Sequence, residues 1–289
     1  ITPENYSDKI QVVSRLDAST DTMRYQQWCW LDQGIENGSI WLNLRTSATN
    51  IEAAMAQKVL FNGGAESEIA TLDIVKMPSI SATCRAEAGQ RHCFEKYTSL
   101  YTSRDCDDPK SKALSGLAHL ANNSWDTAFA ANAQAWEKEW DRCDVVVEGD
   151  DEAQLALRFS IYHLLIAAPR HDERVNIGAK TLSGYGYHGH SFWDTEIFML
   201  PLFTFTRPEI ARNLLSYRYH NLPGAREKAC EGGFQGAQFP WESAGDGREV
   251  TPTWVPNPAD RKKTIRIWTG DIEIHISSDI AFAIIQYWR

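Results

Sequence analysis

Residues 184–196 read Gly-Tyr-Gly-Tyr-His-Gly-His-Ser-Phe-Trp-Asp-Thr-Glu, and residues 236–243 read Gly-Ala-Gln-Phe-Pro-Trp-Glu-Ser. Each stretch places an indole next to a carboxylate, beside Gly or Pro residues that favour a loop or a helix start. A pyranose ring offers apolar C–H faces to an indole and hydroxyl donors to ionised carboxylates, whose hydrogen bonds are charge-assisted. The two stretches therefore predict a sugar-binding site whose candidate residues are Trp193, Asp194, Trp241 and Glu242.

The same two pairs have a second interpretation. A Trp beside an acid is often a buried ring next to a carboxylate that caps a helix. Two such pairs in about fifty residues, both flanked by Gly, His and Arg, favour the binding site, because a core-forming segment would use Leu and Val there. The capping role stays open as the alternative for both acids.

Composition excludes several classes of function. The chain has 289 residues, 43% of them hydrophobic, which is enough for more than one domain. Its formal net charge is −9 and it has no block of Lys and Arg, so no nucleic-acid partner is expected. Neither a signal peptide nor an apolar run of about 18 residues is found, so no membrane partner is expected, and a cytoplasmic location is favoured over a secreted or periplasmic one.

Cysteine and histidine spacing does not predict a metal site. The six Cys residues have no C-x-x-C spacing. Cys84 and Cys93 are placed to close a loop through a disulfide, and free thiols are the equal alternative. His188 and His190 would point apart on a strand, so they are expected to position their loop by hydrogen bonds. No metal and no organic cofactor is expected.

The hydrophobic pattern divides the chain into three parts. Residues 1–110 carry short alternating runs between Asn-Gly, Gly-Gly and Gly-Gln turn signals, which predict part of a β-sandwich with one face buried. Within them the Ala-rich residues 51–61 fit a strand or a helix. Residues 111–147 predict a helical linker, with helical spacing over 112–143 and a short extended piece at 145–147.

Residues 148–289 have the helical period in every long apolar segment. The predicted helices lie at 155–168, 192–205, 208–220, from Pro223 onward and at 270–289. Alternating short and long connections predict a toroid of helix pairs, with the long loops at one end forming the site.

Several polar residues in this part have open roles. Arg218, His220 and Arg226 are candidate phosphate ligands, although pairing with acids such as Glu227 and Glu231 along helix faces is favoured. Glu273 and His275 are candidates to border the subsite of the leaving sugar, at a helix start after a Gly turn.

Beyond these patterns, the chain resembles glycoside hydrolase family 65. The stretches that carry the resemblance are Gly-Tyr-His-Gly-His-Ser-Phe-Trp-Asp-Thr-Glu-Ile-Phe-Met-Leu-Pro (186–201), Tyr-Arg-Tyr-His-Asn-Leu-Pro-Gly-Ala-Arg (217–226), Gly-Ala-Gln-Phe-Pro-Trp-Glu-Ser (236–243) and Trp-Thr-Gly-Asp-Ile-Glu-Ile-His-Ile (268–276). Matches at 99–105 and 148–164 extend it over most of the chain, and it weakens before about residue 90. The resemblance implies a β-sandwich, a helical linker and an (α/α)6 barrel, with residues 148–289 forming about the first half of that barrel.

The resemblance also implies a function. The family contains inverting maltose, trehalose, kojibiose and nigerose phosphorylases and a few hydrolases. In such enzymes a Glu protonates the glycosidic oxygen, while inorganic phosphate attacks the anomeric carbon from the opposite face and gives β-glucose 1-phosphate. That Glu and the phosphate ligands are expected beyond Arg289, so no catalytic residue is assigned within the chain. Trp193, Asp194, Trp241 and Glu242 match the sugar-holding pairs of the family.

The expected partners follow from the same resemblance. They are a disaccharide, inorganic phosphate as co-substrate, the rest of the barrel on this or a second chain, and further copies in a homo-oligomer. Residues 266–275 look most like kojibiose-type members. Residues 1–289 alone are expected to be inactive, with the apolar flank of the last helix (Ile276, Ile280, Ile284 and Trp288) seeking a partner. The alternatives are an inverting α-glucoside hydrolase and a non-catalytic sugar-binding fragment.

Overall fold

A computed structural model describes residues 1–21, 25–61, 67–184 and 186–289. The predicted Gly-Gly turn at Gly63 and Gly64, and Tyr185 of the first motif, lie outside the described residues. The chain forms two compact units, Ile1–Trp136 and Glu137–Arg289.

The described residues of the first unit form two antiparallel sheets. The strands are β1 Asp8–Arg15, β2 Trp28–Glu36, β3 Ser39–Thr46, β4 Glu52–Phe61, β5 Glu68–Leu72, β6 Ser79–Ala86 and β7 Phe94–Thr102. The sheet orders are β1-β6-β5 and β2-β3-β4-β7. Side chains of β3, β4 and β6, including Leu42, Val59 and Ile80, pack together between the sheets. This packing confirms the predicted sandwich.

Local signals in this unit act as predicted. Asn37 and Gly38 both have positive φ, 49° and 73°, as a two-residue hairpin between β2 and β3 requires. Residues 51–61 are strand β4 rather than a helix. Cys84 and Cys93, for which a disulfide and free thiols were equal alternatives, are free thiols.

The four-stranded sheet is covered on both faces, so the prediction of a single buried face was wrong there. Leu42 of β3 faces the second sheet, whereas its neighbour Trp41 packs against helix α1, Pro109–Ala121. The Ala-rich sequence of β4 allows this, because Ala54 and Ala56 leave room for the helix to approach. A run that is apolar on both faces therefore identifies a strand between two layers.

The region predicted as a linker contains α1 and a second helix, α2, Trp125–Cys143. Residues 145–147, predicted as extended, lie in irregular structure outside any sheet. The next helix, α3, spans Asp151–Ala167, and the Asp150 side chain accepts a hydrogen bond from the Ala153 amide at 2.9 Å. Asp150 therefore caps this helix.

The described part of the second unit continues with helices and one small hairpin. Its further elements are α4 Leu200–Thr206, α5 Pro208–His220, α6 Leu222–Glu231, β8 Trp254–Pro256, β9 Thr264–Arg266, α7 Thr269–Ile272 and α8 Ile276–Trp288. Helix α8 packs against α4 and α5, and its Ile276 and Ile280 are buried. The expectation that these two side chains lie on an open flank was wrong. Ile284 and Trp288 are exposed, Trp288 to 88%.

Two predicted helices are interrupted. Residues 195–199 form a π-helical turn before α4, in which the Leu200 amide donates to the Thr195 carbonyl five residues back. Pro201 follows in the first turn of α4 and has no N–H to donate, so the ladder of hydrogen bonds is broken at this point. The predicted helix at 270–289 splits into α7 and α8, because Glu273 has extended backbone angles.

No helix within the described ranges combines the length and the apolar character needed to cross a bilayer.

Candidate functional site

The two Trp-acid motifs are joined by their backbones. The Ser191 amide donates to the Ser243 carbonyl at 2.9 Å, and the Ser243 amide donates to the Ser191 carbonyl at 3.0 Å. Trp193 and Asp194 follow Ser191 directly, and Trp241 and Glu242 precede Ser243. This one bridge therefore brings the four candidate residues to a common region.

A buried ion pair lies beneath this bridge. Nε and one terminal nitrogen of Arg218, on α5, donate to the two oxygens of Glu196 at 2.8 and 2.9 Å. The two side chains are 2% and 0% exposed. The same guanidinium also donates to the Phe192 carbonyl at 3.0 Å and to Ser243 Oγ at 3.4 Å. Arg218 thus contacts both motif segments at once.

The electrostatics of this pair follow from its bonding. Burial disfavours the charged guanidinium, but the Glu196 carboxylate outweighs that effect and holds the pKa of Arg218 above its usual value. The expectation that Arg218 pairs with an acid is confirmed, but the acid is Glu196 on another element and not Glu227 or Glu231 along a helix face. Because its donors are committed to groups inside the fold, it is not placed to bind phosphate.

The other two phosphate candidates lie on the surface. His220 Nε2 is 3.0 Å from Glu173 Oε1, and Arg226 is exposed on α6. Glu227, expected to pair along the helix face, instead forms a two-bond ion pair with Arg248 in the following loop. Of the three candidates, Arg226 alone forms no side-chain hydrogen bond or ion pair with another residue in the described ranges.

An aromatic surface is formed by the two indoles and a third segment. The His275 ring lies edge-on to Trp193 at 4.9 Å and to Trp241 at 6.0 Å between ring centroids. Phe192 packs edge-on to Trp241 at 6.1 Å. His275 Nδ1 is 2.6 Å from Asp279 Oδ2, which fixes the plane of the imidazole. The predicted border residue His275 therefore contacts both candidate Trp side chains.

Asp194 does not cap a helix. It lies at the start of the π-helical turn, and its side chain accepts no hydrogen bond from the turn. Among the described residues, no hydrogen bond or ion pair to its carboxylate is found, and the residue is half-buried. An ionised carboxylate in this state has its acceptor sites available for a ligand.

Glu242 is buried, with 5% of its surface exposed, and one of its oxygens has a fixed partner. Its Oε1 lies 2.8 Å from His190 Nδ1. The expectation that a histidine of this loop positions it by a hydrogen bond is confirmed for His190. The rings of His188 and His190 do not point apart as on a strand, since their centroids are 5.7 Å from each other.

The loop that carries His190 has unusual backbone geometry. Tyr187 and His188 have φ of 60° and 54°, in the left-handed region that disfavours non-glycine residues. Such strain persists only where the surrounding structure enforces it, and it concentrates at functional sites.

Among the described residues, no group of three or more His, Cys, Asp or Glu is arranged to hold a metal ion.

Glu249 is the site residue that the sequence patterns did not reveal. Its Oε2 accepts a hydrogen bond from the Trp241 amide at 2.9 Å, and its Oε1 accepts one from the Glu242 amide at 3.1 Å. A lone acid in a loop has no periodicity of its own. The nearby sequence signal is Gly247, two residues before it, which favours a turn. In the structure Gly247 has a φ of 75°, as a tight turn requires.

Comparisons with known proteins agree with the fold. Residues 1–139 match the family model described as glycosyl hydrolase family 65, N-terminal domain, and residues 158–289 match the glycosyl hydrolase family 65 central catalytic domain. A solved structure of a candidate kojibiose phosphorylase from the human microbiome has a TM-score of 0.80 at 22% sequence identity, over 97% of this chain and 36% of that one. At this identity the likeness concerns the fold.

Two curated proteins show the range of activities among the relatives. A kojibiose phosphorylase from Halothermothrix orenii is 38% identical over 100% of this chain and 39% of its own length. A kojibiose hydrolase from Flavobacterium johnsoniae is 33% identical over 89% of this chain and 37% of its own length. The chain therefore spans less than two fifths of the length of each of these relatives.

Arg218→Met should strongly destabilise the protein, because it leaves the Glu196 charge buried without a partner. We expect the free energy of unfolding to fall by about 3–5 kcal/mol, as for other broken buried pairs. Urea denaturation followed by Trp fluorescence measures this change. Arg248→Met is the matched control, since it removes an equally bidentate but exposed pair and should change stability little. Equal losses in the two variants would contradict the role given to Arg218.

Proposed function

This chain belongs to glycosyl hydrolase family 65, and from that premise we propose that the protein is an inverting α-glucoside phosphorylase. Its substrate is a glucose disaccharide, of the kojibiose type, and its products are β-glucose 1-phosphate and glucose. The observation that carries the proposal is the meeting of Trp193, Trp241 and His275 on one aromatic surface. Asp194 follows Trp193 directly, and its carboxylate has no hydrogen-bonding partner among the described residues.

The proposed role of these residues is to hold the reacting glucose. The indoles contact C–H faces of the ring, and Asp194 accepts hydrogen bonds from hydroxyl groups. Glu242 accepts from His190 through Oε1, and its Oε2 has no hydrogen bond to the described residues, so that oxygen serves the sugar. Holding the hydroxyls fixes the anomeric carbon and favours distortion toward the oxocarbenium-like transition state.

The bond changes are those of inversion. A phosphate oxygen attacks the anomeric carbon from the face opposite the glycosidic bond. That bond breaks, and the departing oxygen takes a proton from a Glu. We place this Glu, together with the phosphate ligands, outside residues 1–289. Asp194 and Glu242 are therefore sugar ligands and not the acid and base of the reaction.

We extend the proposal to domain organisation. Residues 1–110 belong to a sandwich domain, residues 111–147 to a linker and residues 148–289 to the first half of an (α/α)6 barrel. The exposed apolar side of α8, with Ile284, Ile285 and Trp288, supports this assignment, because other helices of a barrel would cover it. The whole enzyme is a cytoplasmic homo-oligomer that needs inorganic phosphate and no cofactor.

A hydrolase is the second candidate, favoured by the likeness to the Flavobacterium johnsoniae kojibiose hydrolase. In that case water, activated by a carboxylate, would replace phosphate as the nucleophile. A non-catalytic sugar-binding module is the third candidate. It would use Trp193 and Trp241 as platforms without chemistry.

The whole protein should release glucose from kojibiose only when inorganic phosphate is present, with β-glucose 1-phosphate as the second product. Incubation with kojibiose, maltose, trehalose and nigerose, with and without phosphate, checks both the reaction and the linkage preference. Glucose released equally without phosphate would contradict a phosphorylase and favour a hydrolase.

Residues 1–289 assayed alone should be inactive. If they bind glucosides and gain nothing from the remaining part of a full-length relative added in trans, the binding module is favoured.

Asp194→Ala and Glu242→Ala should each lower kcat/KM of the whole protein by about 100-fold or more, because each removes charged hydrogen bonds to the reacting sugar. Thermal unfolding of both variants should remain cooperative. Glu231→Ala, at an exposed acid on α6, is the control and should keep wild-type turnover. If the two site variants also turned over like the wild type, their assignment as sugar ligands would be wrong.

A further inference from the structure

The Glu249 carboxylate collects five hydrogen bonds. Its Oε2 accepts from the Trp241 amide at 2.9 Å and from Lys228 Nζ. Its Oε1 accepts from the Glu242 amide at 3.1 Å, the Thr251 amide at 3.2 Å and Thr251 Oγ1 at 2.7 Å. A carboxylate has about four acceptor positions, so these donors leave no room for a sugar hydroxyl.

Two of the five donors are the main-chain amides of a candidate sugar-binding pair. Trp241 and Glu242 lie outside any helix or strand. Their backbone is held on its C-terminal side by the bridge at Ser243 and by the Val250 amide, which donates to the Glu242 carbonyl at 3.0 Å. An ionised acceptor that binds both amides restrains the backbone from which the indole and the Glu242 carboxylate project. Glu249 therefore acts on the site through the residues that it holds.

Lys228 connects this carboxylate to a second site segment. Its Nζ, on α6, also donates to the Gly270 carbonyl at 2.9 Å, and Gly270 belongs to α7, just before His275. A Cβ atom at Gly270 would lie 3.3 Å from the Glu249 carboxyl carbon and 3.1 Å from Thr251 Cβ. The absence of a side chain at Gly270 thus allows the two segments to pack closely.

The same contacts keep the carboxylate ionised. Burial alone would raise the pKa of Glu249, but the hydrogen bonds from Lys228, Thr251 and the Trp241 amide hold this pKa below its usual value. Because the pKa of Glu249 is lower in the folded state than in the unfolded state, its ionisation stabilises the fold at pH values above the ordinary pKa of a Glu. This stabilisation is lost as the pH falls through the folded-state pKa. At neutral pH the charge that the amides bind is therefore present.

We propose that Glu249, held by Lys228, is a positioning residue that fixes the Trp241 indole and the Glu242 carboxylate against the segment carrying His275. That the positioned groups hold a sugar rests on the proposed function, whereas the contacts of Glu249 do not depend on it. Glu249 contacts no reacting atom. Its effect is on the orientation of the sugar, and small misplacements of bound groups cost about 100-fold in rate.

Glu249→Gln tests this role in the whole protein, since it keeps the size of the side chain but removes its charge and turns one acceptor into a donor. We expect hydrogen exchange at the Trp241 and Glu242 amides to become about tenfold faster. We also expect kcat for phosphorolysis of kojibiose to fall by about 100-fold, with KM changed much less. Asp246→Asn is the matched control in the same loop, because the side chain of that exposed acid bonds to the Arg248 amide and to no other described residue, and it should match the wild type in both measurements.

Further variants keep the test decisive. If Glu249→Gln does not fold, Lys228→Met removes the hydrogen bonds from Lys228 to Glu249 and to the Gly270 carbonyl. This variant should also lower kcat, and Lys228→Arg should keep part of the activity that Lys228→Met loses. Faster exchange with wild-type kcat would make Glu249 only structural and overturn the proposal, as would unchanged exchange.

The phosphorylase assignment and the positioning role of Glu249 can be contradicted by different results. A wild-type protein without turnover contradicts the phosphorylase assignment, and glucose affinity, measured by Trp fluorescence titration, then replaces kcat as the readout for Glu249→Gln. In that case a loss of affinity in the variant supports positioning, and an unchanged affinity overturns it. A wild-type protein that neither turns over nor binds glucose overturns both assignments.

Discussion

The buried ion pair between Arg218 and Glu196 is the constraint on which the site depends. Two charges removed from water are tolerated only when their geometry is good and their remaining hydrogen-bonding groups are satisfied. Here the remaining donors of the guanidinium bond to Phe192 and Ser243, one in each motif segment. Satisfying one buried charge therefore requires both segments to be in place, and the backbone bridge between Ser191 and Ser243 forms beside it.

Four acids near this bridge have different roles because their surroundings differ. Glu196 is neutralised by Arg218, and Glu249 is saturated by amides, a hydroxyl and a lysine. Glu242 has one oxygen bonded to His190, and Asp194 has no bonding partner among the described residues. Glu196 is 0% exposed and Glu249 has no acceptor position left, so only Glu242 and Asp194 can accept hydroxyl groups from a sugar. Residue type alone does not separate them.

Local rules predicted the elements of this chain better than its long-range pairs. The Asn37-Gly38 hairpin follows from short-range backbone chemistry and was predicted from sequence. The covering of the sheet by α1 was missed, because an alternating pattern does not show what lies on its second face. The partner of Arg218 is 22 residues away on another element, and Glu249 has no pattern at all, so neither contact was within reach of periodicity. The residues that present the aromatic and acidic groups were visible in sequence, whereas the residues that hold them were not.

The central claim is that the two motif segments form one surface that holds a glucose unit. A crystal structure of the whole protein with bound glucose tests it most directly. We predict a C–H face of the sugar against Trp193 or Trp241, with hydroxyl groups at hydrogen-bond distance from both Asp194 and Glu242. A glucose bound elsewhere, with neither of these carboxylates within hydrogen-bond distance of a hydroxyl, would contradict the account.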